Sequence, residues 1–217
     1  MRIVSPEIDE YLSSLVQVSP ILEHVASEGT ELNLPLIDTT TGRLLETVVL
    51  LTGARDVLEI GTANGYSALW MARSLPRDGR LISIELDPNR ARLARKHLEE
   101  AGFSDRASVI IGDAALMVHK VAGPFNVIFN DGDTQQYPQL LDRLVSLLRP
   151  GGVLVTNNVL LTSEVFSESG TPSLQSLNGT EAVASYNKQL ASDSRLVTSF
   201  LTIRNGVSIS VRKPSGQ

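Results

Sequence analysis

The sequence predicts an α/β fold in which a seven-stranded, mostly parallel sheet carries helices on both faces and ends in an antiparallel hairpin. Three observations favour this fold. Short apolar segments rich in Val and Ile alternate with helix-compatible segments from residue 56 onward. The first apolar segment leads into a glycine-bearing turn and then a helix. Near the C-terminus, two segments of alternating polarity are joined through Asn205-Gly206, which is a strong hairpin signal.

Three helices are predicted before the sheet. The first two begin at Ser5-Pro6 and Ser19-Pro20, where a capping serine precedes a proline at the first helical position, and the second ends near Gly29. The third covers Thr40–Leu51. Because each carries an apolar stripe, segment 1–52 is expected to cover the core, form a lid or build a dimer contact.

The core is predicted to follow as alternating strands and helices in residues 53–217, so that residues 1–217 form a single domain. Strands are predicted at Asp56–Ile60, Arg80–Ile84, Ala107–Ile111, Phe125–Phe129, Val153–Thr156, Leu196–Ile203 and Val207–Val211. Helices are predicted from Ser67 to near Pro76, from Asp87-Pro88 to about Ala101, after Asp113, from Pro138 to Leu148, and from Thr180 to Ser192. Residues 159–178, rich in Ser, Thr, Gly and Pro, predict a loop.

Composition limits the class of function. The chain has 217 residues, 42% of them hydrophobic and 20% charged, as in ordinary globular proteins. A net charge of −5 without a long basic segment disfavours nucleic-acid binding. The absence of cysteine excludes disulfides, zinc–thiolate sites and cysteine nucleophiles. No apolar segment is long enough to predict a membrane span or a signal peptide, so a cytoplasmic protein is expected.

The turn after the first strand is the expected centre of the site. Gly61 and Gly65 permit backbone angles or close contacts that a side chain would obstruct. The spacing is not that of the dinucleotide fingerprint, since Ala63 stands where that motif needs glycine. Glu59 precedes the turn, and a buried carboxylate there suits a ligand with positive or amine character better than a pyrophosphate.

Further polar residues follow the other strands. Glu85 lies 24 residues after Gly61, near the spacing at which an acid accepts ribose hydroxyls; the alternative is a solvated acid beside the Asp87 helix cap. Asp113 is expected either to contact an adenine amino group or to cap the next helix. Asp131, Asn157 and Asn158 form either a site for Mg²⁺ or Ca²⁺ or a hydrogen-bonded cluster that ends the strands.

Together these residues resemble the class I S-adenosylmethionine-dependent methyltransferases, which have a Rossmann-like fold. More narrowly, they resemble the cation-dependent catechol and caffeoyl-coenzyme A O-methyltransferases and their bacterial relatives. The matching motifs are Glu59-Ile-Gly-Thr-x-x-Gly-Tyr-Ser-Ala68, Glu85-Leu-Asp-Pro88, Asp131-x-Asp-x-x-x-Tyr137, Leu148-Arg-Pro-Gly-Gly152 and Asn158-Val-Leu160.

The resemblance implies a role for each residue of the site. Glu59, Gly61 and Ser67 are expected at the methionine part of the cofactor or under it, Glu85 at the ribose, and Asp113-Ala114 at the adenine. Asp131 is implied as a cofactor contact and as the catalytic residue. The metal-ligand positions are those of Asp131, Asn157 and Asn158. A homodimer is also implied.

Three positions depart from that family's pattern. Asn157 replaces an aspartate that supplies charge to the metal ion, which weakens the expectation of a bound cation. Thr134 replaces a lysine that acts on the acceptor hydroxyl, and a threonine is not a base near neutral pH. Leu161 replaces an aromatic residue of the acceptor wall.

Three hypotheses follow. The first is an S-adenosylmethionine-dependent O-methyltransferase acting on a small hydroxylated molecule such as a catechol. The second is a protein that binds S-adenosylmethionine but has lost or changed its chemistry and serves as a regulatory partner. The third is a nicotinamide oxidoreductase, which Ala63 and the position of Glu59 disfavour.

Overall fold

The computed structural model describes residues 5–160 and 174–214. Its helices are α1 (Pro6–Ser14), α2 (Pro20–Glu31), α3 (Thr39–Leu51), α4 (Tyr66–Ala72), α5 (Pro88–Glu100), α6 (Ala114–Met117), α7 (Tyr137–Leu147) and α8 (Leu174–Ser192), with a 3₁₀ turn at Thr134–Gln136. Its strands are β1 (Asp56–Ile60), β2 (Arg80–Glu85), β3 (Ala107–Ile111), β4 (Phe125–Asn130), β5 (Leu148–Asn157), β6 (Leu196–Leu201) and β7 (Val207–Arg212).

The seven strands form one sheet in the order β3-β2-β1-β4-β5-β7-β6. The five strands from β3 to β5 pair in parallel, and β7 pairs antiparallel with both β5 and β6. This confirms the predicted sheet and its reversed C-terminal hairpin. The strand order changes direction between β1 and β4, and in such sheets ligands bind beyond the carboxyl ends of the strands at that point.

The core lies on both faces of the sheet. Val57 packs on one face with helices α2, α3, α4 and α5, while the next residue, Leu58, packs on the other with α7 and α8. Both side chains are fully buried. The near-continuous apolar run of β1 follows from this arrangement, because a central parallel strand has no face exposed to water.

Several predicted boundaries were wrong. Helix α2 does not end at Gly29 but continues to Glu31, and Gly29 is buried against Leu36, where a Cβ would lie 2.3 Å from the Leu36 Cδ1. The glycine there permits close packing rather than ending the helix.

Helix α4 ends at Ala72 rather than near Pro76. Further differences lie in the second half of the chain. Strand β5 begins at Leu148 rather than Val153, although regular pairing with β4 resumes at Val153 after an irregularity. Helix α8 begins at Leu174, inside the predicted loop 159–178. Residues 161–173 of that loop, which include Leu161, lie outside the described residues. None of the described helices is both long enough and apolar enough to cross a bilayer.

Candidate active site

A cavity of about 320 Å³ opens at the carboxyl ends of the strands. Its size is at the lower end of the range for small-molecule sites. Six of the residues proposed from the sequence line it: Gly61, Ser67, Glu85, Asp113, Ala114 and Asp131. They come from the ends of β1, β2, β3 and β4, which explains why residues up to 70 positions apart in the sequence meet here.

The glycine turn forms the floor of this cavity. Gly61 and Gly65 have φ values of +85° and +90°, and Ala63 has a φ of +47°. A Cβ on Gly61 would lie 2.5 Å from the carbonyl oxygen of Asp131, so the contact between the β1 and β4 ends requires glycine. The predicted need for glycine at positions 61 and 65 is confirmed. Ala63 has a side chain, so its left-handed backbone angle carries an energetic cost.

Glu85 holds the turn in place. Its Oε2 accepts hydrogen bonds from the backbone N–H groups of Thr62 (3.0 Å) and Ala63 (2.8 Å), and its Oε1 accepts one from the N–H of Asp87 (2.9 Å). The residue is only 6% exposed. The alternative of a solvated acid is therefore wrong, while Asp87 is a helix cap as predicted, accepting from the N–H groups of two residues of α5.

Glu59 lies beneath the cavity and is fully buried. Its two oxygens accept hydrogen bonds from the hydroxyls of Ser67 (2.6 Å) and Ser83 (2.5 Å). Burial raises the pKa of Glu59 from 4.5 to about 7, although the serine hydrogen bonds lower it, and the charge of Glu85 raises it further. Of Glu59 and its two serine partners, Ser67 is the one that lines the cavity.

Asp113 and Gln136 lie together at another part of the wall. Asp113 caps α6 by accepting from the N–H of Ala115 at 2.8 Å, and its second oxygen accepts from Gln136 Nε2 at 3.1 Å. The capping alternative is thus confirmed, while the contact of Asp113 and Ala114 with adenine stays a prediction. Gln136 Oε1 is buried and has no hydrogen-bond partner among the described residues, which leaves an acceptor for a ligand N–H group.

Asp131 occupies the junction of β4 and β5. Its Oδ1 accepts hydrogen bonds from both Asn157 Nδ2 (3.0 Å) and Asn158 Nδ2 (3.1 Å). Burial raises the pKa of Asp131 from 3.8 to about 7; the Asn157 hydrogen bond opposes that rise, and the nearby charge of Glu59 adds to it. The carboxyl group therefore changes its protonation state close to neutral pH.

These three residues do not fit a hard divalent cation. Mg²⁺ and Ca²⁺ bind oxygen ligands and favour several negative charges. Here both asparagines present amide N–H groups to Asp131, and Asn158 Oδ1 already accepts from Asn205 Nδ2 at 3.1 Å. The arrangement is the hydrogen-bonded amide cluster that the sequence left open, with a single carboxylate.

A second cavity of about 200 Å³ lies beside the first. Asn157 and Asn158 line it rather than the first cavity, together with Asp38, Arg204 and Asn205. Arg204 Nε lies 3.3 Å from Asp38 Oδ2, so one cation and one carboxylate face each other there. Asp131 lines the first cavity and accepts hydrogen bonds from both asparagines, which line the second, so it connects the two cavities.

Sequence reasoning missed several residues of these walls. Pro35, Leu36 and Ile37 line both cavities, but they lie in a mixed segment that carried no signal of function. Arg204 lies in the connection between β6 and β7, which carried no sequence signal of a site. Gln136 offered one usable signal, because it follows the end of β4 on the same rim as Asp131.

Comparison with known proteins gives consistent results. A family model described as O-methyltransferase matches residues 9–213. A catechol O-methyltransferase from Niastella koreensis is 35% identical over 176 residues, which is 77% of this chain and 80% of the relative. A catechol O-methyltransferase from Mycobacterium tuberculosis is 34% identical over 168 residues, 76% of each chain.

Solved structures agree in fold over almost the whole length. An O-methyltransferase from Bacillus cereus in complex with SAH has a TM-score of 0.86 at 30% identity, covering 95% of this chain and 97% of that one. The O-methyltransferase TomG from Streptomyces achromogenes, involved in tomaymycin synthesis and solved with SAM, has a TM-score of 0.86 at 30% identity and covers 96% of both chains.

Proposed function

Because this chain belongs to the O-methyltransferase family and is an S-adenosylmethionine-dependent O-methyltransferase, we propose that the larger cavity holds the cofactor and that the smaller one holds a small hydroxylated acceptor. The alternative of a binding module without catalysis is not favoured, because relatives named as catechol O-methyltransferases are 34–35% identical over three quarters of the chain. None of these relatives supports the nicotinamide oxidoreductase hypothesis.

The polar groups of the larger cavity support the placement of the cofactor. Glu85 offers carboxylate oxygens for the ribose hydroxyls, while Asp113 and the unpartnered Gln136 Oε1 offer acceptors for the adenine amino group. Ser67 provides a hydroxyl for the methionine part. When bound, the cofactor supplies an electrophilic methyl group on a positively charged sulfur, and the acidic rim favours that charge.

We assign Asp131 as the proton acceptor for the hydroxyl that is methylated. Its Oδ1 is engaged by two amide groups, and no described residue donates to its Oδ2. A carboxylate whose pKa is raised to about 7 is matched to proton transfer near neutral pH. With the cofactor bound, this carboxylate would take the proton of the acceptor hydroxyl while the acceptor oxygen replaces sulfur on the methyl carbon. The electron pair of the broken carbon–sulfur bond would stay on sulfur and leave SAH, and this proton transfer uses neither Thr134 nor a metal ion.

Asp131→Asn tests this role. The variant keeps the size of the side chain but removes the base, so we expect kcat for methyl transfer to fall by about 100-fold or more. SAH affinity, measured by calorimetric titration, should change far less than kcat. Asp142→Asn, on an exposed position of α7, is the matched control and should behave as the wild type.

The pH profile provides a second readout. In the wild type, kcat is expected to rise with pH and level off above about pH 7, following ionisation of Asp131. In Asp131→Asn that rise should disappear. A variant that keeps both the activity and the profile would show that another group accepts the proton.

The acceptor is proposed to be a catechol or a related phenol, because the named relatives act on catechols and the smaller cavity combines a polar wall with the apolar segment 35–37. A panel of catechols and matched monophenols, with methylation followed by mass spectrometry, tests the class. Methylation of monophenols alone would contradict the catechol assignment while leaving methyl transfer itself established.

We further propose that segment 1–52 serves as lid and as dimer contact. Residues 35–37 from this segment already line both cavities. Large apolar side chains on α1, at its C-cap and at the end of α3 are at least 41% exposed: Ile8, Tyr11, Leu12, Leu15, Leu50 and Leu51. Such a concentration marks an association surface, and a second copy of the chain is the simplest partner.

Sedimentation velocity tests the homodimer. The wild type should sediment as a dimer, and Leu15→Glu, which places a charge in the exposed patch, should give a monomer. Leu116→Glu, an equally exposed leucine on α6, is the control and should remain dimeric. A monomeric wild type at micromolar concentration would contradict the proposal. We also propose a cytoplasmic location, which cell fractionation tests.

A further inference from the structure

A second group of ligand-type side chains lies outside both cavities, between α2 and α5. The ligand atoms of His24, His97 and Glu100 all lie within 4.8 Å of one another. Glu28 lies beside His97, with its Oε2 3.0 Å from His97 Nε2, but it does not belong to this group of three. The spacings His24/Glu28 and His97/Glu100 place each pair on one face of its helix.

His97 is oriented for metal binding. The ring is fully buried, and its Nδ1 lies 2.8 Å from the carbonyl oxygen of Asn64. A carbonyl oxygen only accepts, so Nδ1 carries the hydrogen, and in the tautomer with hydrogen on Nδ1 alone Nε2 presents a lone pair. Histidine ligands of metals are held in this way, with the second ring nitrogen donating to a carbonyl or carboxylate oxygen.

The atoms that face each other lack hydrogen-bond partners. His97 Nε2 and Glu28 Oε2 are both buried, and although they are 3.0 Å apart they do not form a hydrogen bond with each other or with another described residue. A simple ion pair would require a second proton on His97 and an N–H directed at the oxygen. Leaving both atoms unpaired is unfavourable, whereas a cation that accepts a lone pair from each satisfies both.

We propose that His24, His97 and Glu100, with Glu28 beside His97, form a binding site for a borderline divalent metal of the Zn²⁺ class. Two imidazoles with carboxylates suit Zn²⁺ rather than Mg²⁺. Zinc bonds to N and O of about 2.0–2.1 Å in tetrahedral geometry separate the ligand atoms by about 3.3 Å, close to the spacing of His97 and Glu28. His24 and Glu100 are exposed, which gives the ion a path from solvent.

One positive group competes for this site. Lys96 Nζ lies 3.7 Å from Glu100 Oε1. Exposed pairs of this kind contribute little, so a metal ion displaces the lysine at small cost.

The site connects the N-terminal helices to the cofactor turn. Asn64, whose carbonyl oxygen orients His97, also donates from Nδ2 to the carbonyl oxygen of Val25 on α2 at 2.7 Å. Helix α2 then leads into residues 35–37, which line both cavities. A metal bound between α2 and α5 would therefore hold the lid segment against the turn.

Zinc titration of the untagged full-length protein tests the proposal. Chelator-treated protein is titrated with Zn²⁺ by calorimetry in excess Mg²⁺, so that hard-cation sites are already occupied. We expect one equivalent to bind, with an increase in Tm and, with Co²⁺ as probe, the visible absorption of tetrahedral coordination.

Variants separate this site from chance binding. His24→Ala and Glu100→Gln change exposed positions that do not support the core, and each should weaken Zn²⁺ binding at least tenfold. His119→Ala removes the third of the three histidines, at an exposed position after α6, and should leave binding unchanged. Absence of Zn²⁺ binding by the wild type, or equal affinities of His24→Ala and His119→Ala, would overturn the proposal.

Discussion

Replacing Glu59 by glutamine should change how the stability of the protein depends on pH. Glu59 is fully buried, and burial raises its pKa from 4.5 to about 7 against the lowering effect of its serine hydrogen bonds. Between these values the folded state holds a proton that the unfolded state releases. The stabilisation is therefore fully present below about pH 4.5 and is lost as the pH rises through about 7.

The size of the effect follows from the same values. Each pH unit between the two pKa values corresponds to about 1.4 kcal/mol, so the rise from 4.5 to about 7 amounts to about 3 kcal/mol. Glutamine has nearly the same shape and does not ionise. The free energy of unfolding of the wild type should thus fall relative to that of Glu59→Gln by about 3 kcal/mol between about pH 4.5 and pH 8.

Urea denaturation across this pH range measures the difference, with the single tryptophan, the buried Trp70, as the fluorescent reporter. Asp131 adds a dependence of the same sign in both proteins. Because the charge of Glu59 contributes to the raised pKa of Asp131, the difference between the two curves reports the loss of Glu59 together with this smaller coupling. Glu99→Gln, an exposed acid on α5, is the control and should follow the wild-type curve. Parallel plots of unfolding free energy against pH for Glu59→Gln and the wild type would refute the reasoning, because they would show that Glu59 has the same pKa in the folded and unfolded states.

Three further predictions concern the cavities. Gly61→Ala should destabilise the protein by about 3 kcal/mol or more in thermal unfolding, because the φ of +85° and the 2.5 Å approach to the Asp131 carbonyl oxygen both exclude a Cβ. Gly102→Ala is the control: Gly102 has a φ of +75° but no atom near the added Cβ, so the substitution should cost only about 1 kcal/mol. Glu85→Gln should weaken SAH binding by about tenfold or more in calorimetry, since an amide cannot accept all three N–H groups and the ribose. Methyl transfer should be unchanged by EDTA in the wild type and become Mg²⁺-dependent in Asn157→Asp; loss of wild-type activity in EDTA would contradict the reading of the amide cluster.

The order of the elements and the sheet topology were predictable because they depend on local patterns. The apolar run of β1 reflects burial on both sides, and the Ser-Pro and Asp-Pro pairs mark helix starts by capping. Boundaries were less predictable where long-range packing overrides local preference. Gly29 reads as a helix end in isolation, but contact with Leu36 keeps it inside α2.

The sequence by itself determined which chemical groups stand at the strand ends, since the carboxyl ends of parallel strands share one edge of the sheet. Only the tertiary structure decided what those groups do. Glu59 lies beneath the cavity, where its two oxygens accept hydrogen bonds from the hydroxyls of Ser67 and Ser83. Asn157 and Asn158 direct amide hydrogens at Asp131, and the orientation of an amide depends on its partners rather than on its position in the chain. The same holds for the paired histidines of α2 and α5, which are 73 residues apart and meet only because the two helices pack on the same face of the sheet.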